Sequence, residues 1–478
     1  MNAPIVRLFG VIVVLFALLI VFTSRWTVFQ ASSLQNNPLN VRTLIDELQV
    51  KRGRILASDG TVLAKSVAAP DHTWTRTYPT GPLFAHAVGY SIAAKGEAAG
   101  LEESAATYVR GLNTGLSSIF GQLNPRPVGD DVYTTLDPAA QRAAQQALAG
   151  EDGSVVAIDP STGAVKVMYA NPTYNDNSSN PGQGCGAKDC LVNRVTEGQY
   201  APGSTFKIVT ATAAIDSGMY TENSVINGNS PITVSGVPLN NDGDQSWGPQ
   251  TLTTAMTYSI NTIFAQVAQN VGRATMTKYM KRFGFYSKPP LDYPSGQIGI
   301  SQPWSSTTGK PFPPGSPDED IGRIGIGEGG LLVTPLQMAM VASAVADNGT
   351  LMKPHMISRV VNPDGVTVST VNSSVESQVM KPSTAQAVTR MMEKVVEEGT
   401  GITVQIPGIT IAGKTGTPQI PTATEPNRTQ PAFVAFAPAQ HPKVAIAVMI
   451  DQSNGGYGAT VAAPVAKAVL RVLLSEGS

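Results

Sequence analysis

The chain has 478 residues, of which 42% are hydrophobic and 14% charged, and its formal net charge is -1. That length permits two or three domains with a sizeable core. The near-neutral balance excludes the concentrated basic surface that nucleic-acid binding requires. Cys185 and Cys190 are the only cysteines, and His72, His86, His355 and His441 are scattered, so neither a metal nor another cofactor is expected.

Leu8 to Phe22 runs without a charge between Arg7 and Arg25. At about 1.5 Å per residue, Leu8 to Ser24 reaches roughly 26 Å, slightly under a bilayer's hydrocarbon core. A removable signal peptide is the competing reading. The run is long for a signal sequence and no small-x-small site follows it directly. A retained single-pass anchor is therefore expected, with Trp26 and Phe29 at the interface. Flanking charge leaves orientation open, because Arg7 and the amino terminus oppose Arg25 and Arg42. The next basic cluster, Lys51, Arg52 and Arg54, reads as a solvated or structural turn rather than a lipid-headgroup patch.

Residues 25 to about 130 alternate short apolar runs with turn signals and predict short strands and loops. Asp137-Pro138 then supplies an N-cap and first-turn proline for a helix to Leu148, closed by Gly150. Ser154 to Ile158 and Ala164 to Tyr169 predict a hairpin across Asp159 to Gly163. Cys185 and Cys190 enclose a short loop that a disulfide can close in an oxidising compartment. A second hairpin is expected from Ala432 to Pro438 and Lys443 to Ile450, followed by a helix from Val461 to Leu474. Hairpins this distant in sequence imply one antiparallel sheet built from both ends of an α+β domain. The middle, about 204 to 400, reads as mostly helical with long loops, including Pro303 to Ser316.

Ser204-Thr205-Phe206-Lys207 opens an apolar helical run to Ile215. Residues three apart share a helical face, so the Lys207 amine can reach the Ser204 hydroxyl. A serine hydroxyl needs a base at neutral pH, and a lysine serves once burial or a cationic neighbour leaves it neutral. Ser-x-x-Lys alone is weak evidence. Ser259-Ile260-Asn261 and Lys414-Thr415-Gly416-Thr417 follow it in order, and this triple set marks penicillin-binding proteins and class A β-lactamases. Lys414 to Thr417 lies after the β-prone Ile409 to Ile411, consistent with the cleft edge of a strand, and Gly416 would let a substrate backbone come close. Taken singly, Ser259 also reads as a helix cap, Asn261 as a turn residue and Lys414 as a solvated strand end.

Further motifs resemble the class B penicillin-binding proteins: Arg52-Gly53-Arg54-Ile55 with Asp59-Gly60 and Leu63-Ala64, Gly100-Leu101-Glu102, Asn193-Arg194, Pro202-Gly203, Thr334-Pro335-Leu336-Gln337, Asn348-Gly349 and Gly399-Thr400. The likeness spans nearly the whole chain, and the layout is closest to the actinobacterial penicillin-binding protein A group. It implies a short cytoplasmic tail (1–7), a transmembrane anchor (8–24), a non-catalytic β-rich pedestal or dimerisation domain (25–150) and a transpeptidase domain (151–478). The last would have the serine β-lactamase-like α+β fold, an antiparallel sheet with a helical subdomain.

The resemblance also implies roles. Ser204 would form the acyl-enzyme with Lys207 as base, Ser259 would relay protons, and Asn261 would hold the donor peptide. Lys414 would help keep Lys207 neutral, while Thr415 and Thr417 would bind the donor's carboxylate. The backbone N–H groups of Ser204 and Thr417 would form the oxyanion hole. The implied partners are a stem peptide ending in D-Ala-D-Ala, an acceptor amine on a second stem, β-lactam antibiotics, the cytoplasmic membrane, a glycan-polymerising glycosyltransferase and division proteins. A β-lactamase-type hydrolase and a catalytically silent division scaffold are the competing functions. Gly325 to Gly330 fits Gly-x-Gly-x-x-Gly, but Pro311 to Arg323 before it is a loop rather than a buried strand, so no dinucleotide site is framed there. The resemblance implies instead a structural or cleft-adjacent loop.

Overall fold

The computed structural model describes residues 3–25, 47–112, 128–148, 150–185, 189–420, 425 and 427–475. Trp26, Phe29 and Arg42 lie outside the described residues. Helix α1, Ala3–Ser24, has 22 residues and buries none of them. At about 1.5 Å per residue it reaches about 33 Å, enough to cross a hydrocarbon core of about 30 Å. It begins before Leu8, so the helix includes Arg7.

Strands β1 (Ile55–Leu56), β2 (Val62–Ala68), β3 (Trp74–Thr77) and β4 (Asp131–Thr134) belong to a six-stranded sheet. β1 pairs antiparallel with β2 and parallel with β4, setting Ile55 opposite Val132. Two strands from far downstream, Ile357–Val361 and Thr367–Thr370, complete the sheet beyond β4.

In the basic turn that precedes β1, Arg52 is buried and structural while Lys51 and Arg54 are exposed. Arg52 donates to Glu102 Oε2 at 2.9 Å and Arg76 to Glu102 Oε1 at 2.5 Å, with the Glu102 side chain wholly buried. Burial alone would raise the Glu102 pKa, but Arg76 and Arg52 outweigh it and hold the carboxyl below its usual range. Arg54 instead pairs with Asp131 at the surface. Gly53 has no room for a side chain, because a Cβ there would lie 1.9 Å from the Asp130 carbonyl oxygen.

Asp137 caps helix α2, Pro138–Ala147, accepting from the Ala140 amide at 2.8 Å. Strands β5 (Gly153–Ile158) and β6 (Val165–Asn171) form the expected first hairpin. The other strands of this sheet are β7 (Ala412–Gly416), β8 (Ala432–Ala437) and β9 (Val444–Ile450), in the order β7-β8-β9-β5-β6. Every pairing is antiparallel, as expected of a sheet built from both chain ends.

Both faces of this sheet are covered, which explains why β8 and β9 read as unbroken apolar runs rather than alternating ones. Phe433, Ala435, Ile446 and Val448 share one core with α2 and the C-terminal helix α3, Ala463–Ser475. Val434, Phe436, Ala445 and Ala447 face a second core with Pro335–Ala346, a helix buried at every position.

Removing the shared carboxylate leaves buried Arg76 without a carboxylate partner and Arg52 with Glu47 alone, 3.3 Å away. Glu102→Ala is therefore expected to lose about 3–5 kcal/mol in urea denaturation. An unchanged midpoint would show that the triad does not hold the six-stranded sheet.

Candidate active site

Ser204 lies in a 3₁₀ turn, Gly203–Phe206, that runs directly into the buried helix Lys207–Asp216. Ser204 is half-buried and Lys207 fully buried. Backbone contacts lock the turn in place. The Gly203 amide donates to the Gly327 carbonyl at 3.1 Å. A Cβ on Gly327, at φ +82°, would lie 1.9 Å from the Gly203 carbonyl oxygen. The glycine-rich stretch thus braces the serine turn.

It follows a short helix, Ile321–Ile324, and precedes a two-residue strand, Leu331–Leu332, with the long helix starting only at Pro335. Thr334 is the N-cap of that helix, its hydroxyl accepting from the Gln337 amide at 3.2 Å.

Ser259 joins the helices Leu252–Thr257 and Asn261–Val271 in a left-handed conformation, φ +61°, which a non-glycine residue rarely adopts. The turn places its hydroxyl between two amines. Lys207 Nζ lies 3.1 Å from Ser259 Oγ, and Lys414 Nζ also lies 3.1 Å from it. Lys207 further donates to the Ser259 carbonyl at 2.8 Å and to Asn261 Oδ1 at 2.7 Å. Asn261 is the first residue of its helix, and its Nδ2 donates to the Asn240 carbonyl at 3.3 Å.

β7 carries Lys414, Thr415 and Gly416. Lys414 is fully buried and donates to the Thr415 carbonyl at 3.0 Å, so it is not a solvated strand end. The hydroxyls of Thr415 and Thr400 lie 2.6 Å apart, and Thr417 Oγ1 accepts from the Gly458 amide at 3.0 Å. Gly416 also packs against the serine turn, where a side chain would not fit. A Cβ there would meet the Pro202 carbonyl oxygen at 2.7 Å and Thr205 Cγ2 at 3.0 Å, atoms of the serine turn itself.

Electrostatics follow from dryness and like charge. Burial first, and the Lys414 charge second, push the Lys207 pKa well below that of a free lysine. Burial lowers Lys414 to about 7. A neutral Lys207 can spend two N–H groups on the Ser259 carbonyl and Asn261, keeping its lone pair for a proton. The Ser259 hydroxyl can then pass a proton between the two amines.

A cavity of about 610 Å³ lined by Val396, Ile402, Ile411, Lys467 and Arg471 includes none of these residues. Chemistry, not cavity size, locates the site.

Sequence reasoning did not single out three neighbours. Trp247 stacks on Tyr258, with ring centroids 5.1 Å apart, beside Ser259. Asp242 and Glu328 both act electrostatically on Lys207. Only Glu328 had a signal, its place in the glycine-rich stretch. Elsewhere, Cys185 and Cys190 form a disulfide, and no group of three metal-ligating side chains occurs among the described residues.

The penicillin-binding protein transpeptidase domain model matches residues 153–471, and the penicillin-binding protein A dimerisation domain model matches residues 52–120. The chain belongs to the penicillin-binding protein transpeptidase family. It is 33% identical to the peptidoglycan D,D-transpeptidase PbpA of Mycolicibacterium smegmatis, with all of both chains covered. It is 32% identical to PbpA of Mycobacterium tuberculosis H37Rv over 99% of each chain. The ceftriaxone acyl-enzyme of M. tuberculosis penicillin-binding protein A superposes with a TM-score of 0.80 at 29% identity, covering 90% of this chain and 100% of that one. A D,D-transpeptidase domain from Eggerthella lenta gives 0.76 at 31% identity, covering 90% and 99%. The transpeptidase fold expected from the motifs is thus the family's own.

The depressed lysines also set a stability window. Each binds a proton when unfolded, up to a pKa near 10.5, but gives it up in the folded state at lower pH, near 7 for Lys414. Between those limits stability rises with pH, by up to about 1.4 kcal/mol per unit for each lysine. Denaturation at pH 7.5 and 9.5 is expected to show this gain, and Lys414→Met to reduce it. Equal slopes would mean that Lys414 is not depressed.

Proposed function

We propose that this chain is a peptidoglycan D,D-transpeptidase in which Ser204 is acylated by a stem peptide ending in D-Ala-D-Ala. The observation that carries the reading is the Ser259 hydroxyl, 3.1 Å from both the Lys207 and Lys414 amines. Lys207 takes the proton as Ser204 Oγ attacks the donor carbonyl. Ser259 and Lys414 return it to the departing D-alanine. The Ser204 and Thr417 amides hold the oxyanion. Asn261 orients the donor, while Lys414, Thr415 and Thr417 receive its carboxylate, and Gly416 keeps that strand against the serine turn. An amine of a second stem then displaces the ester. Penicillin acylates the same serine, and the three sequence motifs together with the family match support this assignment.

Helix α1 serves as a single-pass anchor, with residues 1–7 cytoplasmic, the pedestal at 25–150 and the catalytic part at 151–478 outside the membrane, where the acyl donor lies. The disulfide suits that oxidising side. Residues 25–150 are too few for a glycan-polymerising domain, so a separate glycosyltransferase supplies the strands. The likeness to the penicillin-binding protein A group supports a role in division or septation, with division proteins on the pedestal.

A fragment of residues 26–478 mixed with excess benzylpenicillin is expected to gain one stable adduct by intact mass, absent in Ser204→Ala. Ser259→Ala is expected to slow acylation about 10²–10⁴-fold, the range for a lost proton relay. An adduct on folded Ser204→Ala would move the nucleophile elsewhere. One that clears within seconds would favour a hydrolase.

The full chain is expected to sediment with membranes while the fragment stays soluble. A full chain found in the soluble fraction would remove the anchor from this reading.

A further inference from the structure

The second half of transpeptidation needs something the three motifs do not contain. The acceptor arrives as an ammonium ion, and the side chains assigned so far beside the acylated Ser204 offer it two lysines, three hydroxyls and an amide. A cation enters such a site only if an anion meets it. Two carboxylates act electrostatically on Lys207, those of Glu328 and Asp242. Asp242 is exposed on a solvent-facing turn, where water screens it.

Glu328 differs in three respects. It directly follows Gly327, whose backbone is locked to Gly203 beside Ser204, so its position is fixed relative to the nucleophile. Its side chain is 41% accessible, open enough to be reached from solution. Its cationic neighbour Arg323 does not hold it closely. Arg323 Nη1 stands 3.6 Å from Glu328 Oε2, and Arg323 is shared with Asp320 and the Pro238 carbonyl. Desolvation nevertheless raises the Glu328 pKa, with Arg323 and Lys207 only partly offsetting it. A carboxylate so placed retains lone pairs for a further donor.

We propose that Glu328 is the acceptor-amine residue of this enzyme, receiving the ammonium group of the second stem peptide and aiming its nitrogen at the Ser204 ester. This rests on the reading of Ser204 as the acylated residue. The carboxylate takes one proton from the ammonium and frees the nitrogen lone pair. The C–N bond forms as the bond from the acyl carbon to Ser204 Oγ breaks. The second amine proton passes through Lys207 to the serine oxygen, and the proton on Glu328 leaves to water.

The test uses the full chain with a benzoyl-D-alanyl thioester of mercaptoacetic acid as donor, and D-alanine, lysine and meso-diaminopimelic acid as acceptors. The ratio of transfer to hydrolysis arises after acylation, so an acylation defect in a variant cancels from it. Glu328→Gln is expected to raise the KM for the acceptor roughly tenfold or more, the scale of one charge-assisted contact, and to lower the ratio of transfer to hydrolysis. Glu328→Asp, which keeps the charge, is expected to restore part of the loss. Equal ratios across the three proteins overturn the proposal while leaving acylation at Ser204 intact. A wild-type chain that never acylates overturns that reading and this one together.

Discussion

The site is organised around two amines forced to share one hydroxyl in a dry cleft. Two ammonium ions so close together cannot both persist there, since burial penalises each and each repels the other. Deprotonation relieves both penalties and turns a lysine from a counter-ion into a base. Other features serve this arrangement. Ser259 accepts an unfavourable backbone conformation to bring its hydroxyl between the amines. Asn261 and the Ser259 carbonyl fix the direction in which Lys207 points. β7, buried along its length, carries Lys414 from the opposite wall.

Much of this was legible in the sequence because it rests on local chemistry or on long-range order along the chain. The Asp137 cap, both hairpins and the closing helix follow from turn residues, capping and runs of β-branched or aromatic side chains. The three motifs named the cluster at Ser204, Lys207, Ser259, Asn261 and Lys414, and the geometry brings Lys207, Ser259, Asn261 and Lys414 within hydrogen-bond reach of one another. What stayed hidden depends on approach between distant backbones. Nothing in the spelling of residues 325–330 says that Gly327 lies against Gly203, so a stretch read as a structural or cleft-adjacent loop did not reveal what it braces. Gly416 lies against the Pro202 carbonyl, which is far away in sequence, so that contact could not be read from the motif.

The same distinction applies to charge. Arg52 and Arg54 stand one residue apart and looked alike as members of a basic cluster. One is buried in an ion triad with Glu102 and Arg76, and the other pairs with Asp131 at the surface. Their fates were decided by Gly100-Leu101-Glu102, which supplies a carboxylate at a buried position. Both precede β1 rather than lying within a regular strand, and each turns to a different carboxylate, so a cluster in sequence need not be a patch in space.

The downstream strands Ile357–Val361 and Thr367–Thr370 lie in the same sheet as β1 to β4. The chain leaves the six-stranded sheet after β4, builds most of the transpeptidase part, returns to add two strands, and departs again. The two regions are interlaced through the chain rather than strung in series. A chimaera made with a single crossover near residue 150 would take β4 and its partner strand from different parents, mismatching the pairing of Val132 with Val360. Exchange between relatives therefore needs two matched breakpoints, and these regions are constrained to descend together as one inheritance unit.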